Sequence, residues 1–76
     1  SSRVERVDGT VRAVDTRRGY FMVEHSRGRV MTVTVPRNIS SGDARRFERL
    51  RRGERVRAEV RTWSNNSQQA ELVRFR

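Results

Sequence analysis

Apolar side chains in this chain recur at every second position, in short runs broken by glycine and polar turns. Val56, Ala58 and Val60 alternate with Arg55, Arg57, Glu59 and Arg61, and the segment Val4 to Val14 alternates through Val7, Gly9, Val11 and Ala13. A period of two puts successive side chains on opposite faces of a pleated strand, so each run reads as a strand with one dry and one wet face. Tyr20-Phe21-Met22-Val23 and Val30 to Val35 are two further runs, rich in branched and aromatic residues that suit strands, and Ala70 to Phe75 is a fifth. Asp15 to Gly19 and Ser26 to Gly28 read as turns, and Ser64-Asn65-Asn66-Ser67 as a polar loop. Pro36 closes the third run because it cannot donate to a ladder. Gly9, inside the first, predicts a bulge or bend.

Between the third and fourth runs the period changes. Ser40 can cap the free amides of a helix start, and Asp43 complements its positive end. Ala44, Phe47 and Leu50 then recur at helical spacing, with Gly53 expected to end the element and Phe47 and Leu50 to plug one end of a barrel. Five short strands with a helical piece between strands 3 and 4 predict an all-β fold, a small OB-like barrel spanning residues 1–76 as one domain. Closing the sheet removes the edges that a flat five-stranded sheet leaves open. An SH3-like barrel is the alternative, since strand counting separates the two poorly.

Seventy-six residues, a third of them hydrophobic, allow only a modest core. The charge is the stronger functional signal. All 18 basic residues are arginine, against 9 acidic ones, which leaves +9 at neutral pH. Such a surface attracts polyanions, and the arginine fork grips phosphate oxygens in pairs and stacks on bases. A GC-rich genome or a deliberately lysine-free design accounts equally well for the missing lysines, but not for the net charge. The absence of cysteine excludes disulfides and thiolate metal sites. No stretch has the length of a membrane span. The chain opens at Ser1-Ser2 without methionine, as expected of a trimmed or processed product, in which any targeting segment would already be gone.

The segment from Gly9-Thr10-Val11-Arg12 through Arg18-Gly19-Tyr20-Phe21-Met22-Val23 resembles the opening of the cold-shock domain family. Phe47-Glu48-Arg49-Leu50-Arg51-Arg52-Gly53 with Val56 and Val60, and Gln69-Ala70-Glu71-Leu72-Val73, are similar to later pieces of it. The resemblance implies a five-stranded barrel that binds single-stranded RNA and DNA on its outer face by stacking bases on exposed aromatics. Here Ala13, Val14 and Met22 stand where that family carries aromatics, Phe21 where it carries glycine, and only Tyr20 remains of the stacking set. Arg12 and Arg18 keep the charge of two family lysines. The chain also looks like small OB-type modules of secreted bacterial proteins, a likeness that implies no activity.

A single-strand binder needs a basic groove and stacking platforms. The expected nucleic-acid-binding residues are Arg12, Arg17, Arg18, Arg55, Arg57 and Arg61 on phosphates, with Tyr20 and Trp63 on bases. Each has a plainer alternative. Tyr20 can cap the barrel rim, Trp63 can anchor a loop, and a strand-face arginine can pair with Glu24, Glu59 or Glu71. Arg45, Arg46, Arg49, Arg51 and Arg52 crowd the helical segment and can equally track a phosphate backbone. His25, the only histidine, has no partner at metal-ligand spacing, so no metal or other cofactor is expected. No nucleophile–base pair and no phosphate-cradling glycine loop is present, so no enzyme is expected. The leading expectation is a non-catalytic module for single-stranded RNA or DNA with weak sequence preference, which would place it in the cytoplasm. The alternative is an extracytoplasmic or engineered OB-type interaction module whose basic face meets a protein or another polyanion.

Overall fold

The computed structural model describes all residues from Ser1 to Arg76. Its elements are β1 (Ser2–Asp15), β2 (Tyr20–Ser26), β3 (Arg29–Thr34), α1 (Ser41–Glu48), β4 (Arg55–Trp63) and β5 (Asn66–Phe75). The strands close into a barrel in the order β1-β2-β3-β5-β4, with β4 returning to β1. Every pairing is antiparallel except β3 with β5. This is the OB-like barrel expected from the alternation, with its short helix between the third and fourth strands.

β1 is long because it serves two neighbours. Its first part, Ser2 to Thr10, pairs with β4, and from Thr10 onward it pairs with β2. Gly9 stands at this handover. A Cβ there would lie 2.3 Å from the carbonyl oxygen of Glu24 and 2.8 Å from a Val23 methyl, so only glycine lets β2 approach so closely. The expected bulge exists, but two residues further on, where the register slips between Val11 and Ala13. Gly19, at φ +76°, ends the turn from β1 to β2 in a conformation that a side chain would strain. Its carbonyl accepts from the Val35 amide at 2.8 Å, tying that turn to the end of the third run.

The core is a single cluster of Val7, Val11, Phe21, Val23, Met31, Val33, Val56, Ala58, Val60, Ala70 and Leu72, with Phe47 and Leu50 added from the helical segment. Phe47 and Leu50 plug one end as expected. The Phe21 ring lies between Phe47 at 6.1 Å and Phe75 at 5.7 Å, a favourable aromatic spacing. Ser40 caps α1 by accepting from the Asp43 amide at 3.1 Å, while Asp43 accepts the Phe75 amide at 3.1 Å and so pins the helix to β5. The helix ends earlier than Gly53. Arg49 is its C-cap, and Leu50 reaches the core from beyond it. Gly53, at φ +91°, instead turns the chain into β4 and donates to the Val11 carbonyl at 2.7 Å.

At the other end the strands outrun the core. β1 starts at Ser2 rather than Val4, β2 continues past Val23 to Ser26, β3 starts at Arg29, and β4 continues to Trp63. The expected loop from Ser64 to Ser67 is a two-residue turn, Ser64-Asn65, because Asn66 already pairs with Trp63. Ser67, Gln68 and Gln69 are strand residues that lie in water and so carry no apolar period.

Candidate nucleic-acid interface

Ion pairing divides the arginines into two sets. Arg3, Arg12, Arg18, Arg46, Arg55, Arg57, Arg74 and Arg76 lie within 4 Å of a carboxylate. The strand faces hold most of these. Arg12 meets Glu24 at 2.7 Å, Arg55 and Arg57 share Asp8 at 2.7 and 3.5 Å, and Arg74 and Arg76 share Glu59. Such pairs at a wet surface add little to stability, because water and salt screen them. A phosphate arriving there must compete with a carboxylate already in place.

The remaining ten arginines pair with no acid, and six of them stand at the helical end of the barrel. Arg45 on α1 and Arg49 at its C-cap lie one helical turn apart, about 6 Å along the axis. Arg51 and Arg52 follow in the turn to β4, Arg37 precedes the helix, and Arg17 sits in the turn from β1 to β2. All six are exposed. Arg46 is different. It is half-buried, pairs with Glu54 and covers the Phe75 ring at 5.6 Å, so it belongs to the plug. The free arginines away from this end are Arg6 and Arg61 on the barrel wall and Arg27 and Arg29 at the opposite end.

Three of the paired glutamates are held in their charged form. Glu24 titrates below its usual range because Arg12 and then the Gly28 amide donate to it. Glu54 is lowered by Arg46 and the Arg51 amide, and Glu59 by Arg76 and Arg74.

The residues expected to bind nucleic acid therefore fall into three places. Arg17, Arg18 and Tyr20 stand together at the helical end, with Arg18 tied to Asp15 at 3.5 Å. Phe21 and Val23 point into the core, so Tyr20 faces outward, half-buried, between Asp15 and Thr34. Arg12, Arg55 and Arg57 lie on the wall, each with an acid, and Arg61 lies further along β4 without one. Trp63 is at the far end of β4, 39% exposed, so the two aromatic candidates occupy opposite ends of the barrel.

That far end holds a group of residues that sequence reasoning passed over. The dry row of each strand runs out there into polar residues: Arg3 and Glu5 on β1, His25 on β2, Arg29 on β3, Thr62 on β4 and Gln68 on β5. Together with Trp63 they line an open cleft of about 850 Å³. The Thr62 hydroxyl, 5% exposed, donates to Glu5 at 2.6 Å, and Arg3 donates to the same carboxylate oxygen at 3.3 Å. The Thr62 hydroxyl first, and then Arg3, hold the Glu5 carboxyl below its ordinary range. The signal was available as a pattern across strands, since every inward row turns polar at the same end, although no single position is unusual. No family model, curated protein or solved structure matches this chain.

Proposed function

We propose that this barrel is a non-catalytic nucleic-acid-binding module that holds single-stranded RNA or DNA by its phosphates, with weak sequence preference. The observation that carries the reading is the set of six unpaired, exposed arginines at the helical end. A guanidinium without a carboxylate partner binds phosphate without first giving up an ion pair. Tyr20 offers a stacking face at the same end, and the pieces similar to the cold-shock family, 9–23 and 47–60, include this turn, the last two residues of α1 and the segment after it. Arg12, Arg55 and Arg57 contribute more weakly, because each must leave its acid. Arg61 and Trp63 lie toward the other end of β4, opposite Val4 and Ser2.

A second reading has its own support. The outward face of β1 to β3 presents Thr10, Arg12, Met22, Thr32 and Thr34, with Tyr20 as its single aromatic. A face so poor in stacking platforms suits an interaction module that meets an acidic protein or another polyanion through charge. Fluorescence anisotropy with a labelled single-stranded RNA, a single-stranded DNA and a duplex of equal length, repeated across salt, separates the two. Tighter binding to the single strands, weakened by Tyr20→Ala at every salt concentration, supports the first reading. Equal affinity for all three, lost at moderate salt and indifferent to Tyr20→Ala, supports the second.

A further inference from the structure

The cleft opposite the helix is lined mostly by polar side chains, with one indole, Trp63, and one arginine without an acid partner, Arg29. Met31 and Thr62, 6% and 5% exposed, are its most buried lining residues and stand next to the core. Its volume, about 850 Å³, lies within the range of small-ligand pockets. The three exposed large apolar side chains of the protein are Val4, Val30 and Trp63; Val30 and Trp63 line this cleft. An indole presented beside polar groups offers a stacking face to a planar ring. The charges are also uneven. Arg3 is matched by Glu5, while Arg29 lines the same cleft with no acid within 4 Å. Ser64, Ser67 and Gln68 add hydrogen-bonding groups near Trp63.

We propose that this mouth is a pocket for one nucleotide unit carrying a phosphate monoester, either a free nucleoside monophosphate or the phosphorylated end of a strand. Trp63 stacks on the base, Arg29 binds the phosphate, and Gln68 and the serines reach the edge of the base or the sugar. Glu5, kept ionised and turned toward Thr62 and Arg3, repels a phosphate from the β1 side and leaves Arg29 as its counter-charge. The choice of a nucleotide rests on the nucleic-acid reading above; the pocket itself does not.

Trp63 is the only tryptophan, so its fluorescence reports on the mouth alone. Adenosine 5′-monophosphate is expected to quench it saturably, at least tenfold more tightly than adenosine or inorganic phosphate. Arg29→Ala should weaken that binding fivefold or more, whereas Arg6→Ala, an equal loss of charge on the wall, should not. Trp63→Ala, followed by calorimetry, should weaken it to a similar degree. Tetranucleotides phosphorylated at the 5′ end, at the 3′ end or at neither then distinguish a strand terminus from a free nucleotide as the source. No saturable quenching by the monophosphate, equal binding of inorganic phosphate, or indifference to Arg29→Ala overturns the proposal. Loss of long-strand binding with the monophosphate still bound removes the reading of the helical end and leaves the mouth. The converse removes the mouth alone.

Discussion

At the helical end of this barrel the inward rows run through Val11, Phe21, Val33 and Val56 and close on Phe47 and Leu50. At the mouth the same rows run out into Glu5, His25, Arg29, Thr62 and Gln68. The charges are arranged the other way round. The dry end is ringed outside by arginines that have no acid, while the wet end holds a carboxylate bound by both a hydroxyl and a guanidinium. The difference teaches how a chain of 76 residues divides its work. A small core secures one end, so the surface around that end can carry repulsive charge. The other end has no plug, and its rim carries polar side chains.

The sharpest way to break this contrast is to unplug the dry end. Phe47→Ala should cost about 3–5 kcal/mol, a large part of the roughly 4–11 kcal/mol expected for a domain of this size. Urea denaturation measures it, and a loss below about 1 kcal/mol would mean that the helix does not seal the barrel. Gly9→Ala should cost about 3 kcal/mol, because the new methyl meets the backbone of β2 rather than a movable side chain. At the mouth, Thr62→Val should change stability by less than either. The Glu5 carboxyl should then titrate closer to its ordinary value of 4.5, which carboxyl NMR reads directly.

Acid sharpens the comparison with a smaller effect. Glu5, Glu24, Glu54 and Glu59 all have folded pKa values below the ordinary 4.5. Between the folded and unfolded values the unfolded chain binds more protons, so stability rises with pH in that window. The contribution is complete above about pH 4.5 and is lost as pH falls through the lowered values. A urea midpoint that stays flat from pH 7 to 5 and declines below pH 4.5 is expected. A midpoint that rises on acidification would contradict the pairing.

The sequence was legible wherever side chains met the core. Val7, Val11, Phe21, Val23, Val56 and Val60 announce their faces by alternation, and Phe47 and Leu50 announce the plug by their spacing. The strand ends that reading left out, at Ser2, Ser26, Arg29, Trp63 and Asn66, all lie at the mouth. There both faces of a strand are wet, and hydrophobic periodicity has nothing to mark. The same blindness hid the cleft. Arg3, Glu5, His25 and Gln68 read as ordinary surface until the barrel closes and brings all five strands to one rim. The charge was legible as a sum. Its division into paired and unpaired arginines depends on cross-strand partners such as Asp8 with Arg55, 47 residues apart, which no local pattern reveals.

In the proposed reading, unpaired arginines at the helical end, and not net charge alone, hold a nucleic-acid strand. This is tested most directly with two triple variants that lose equal charge. One replaces Arg45, Arg49 and Arg52 with alanine, and the other replaces Arg12, Arg55 and Arg74, each of which has an acid partner. Binding of one labelled single strand is measured for both across salt. The account predicts that the helical-end variant loses most of the affinity and that its salt dependence flattens by about 2 in logarithmic slope, as expected for three lost phosphate contacts on a single strand. The wall variant, whose arginines must first leave their acids, should lose far less. Equal losses in the two variants would contradict the account and leave only a general attraction between a basic protein and a polyanion.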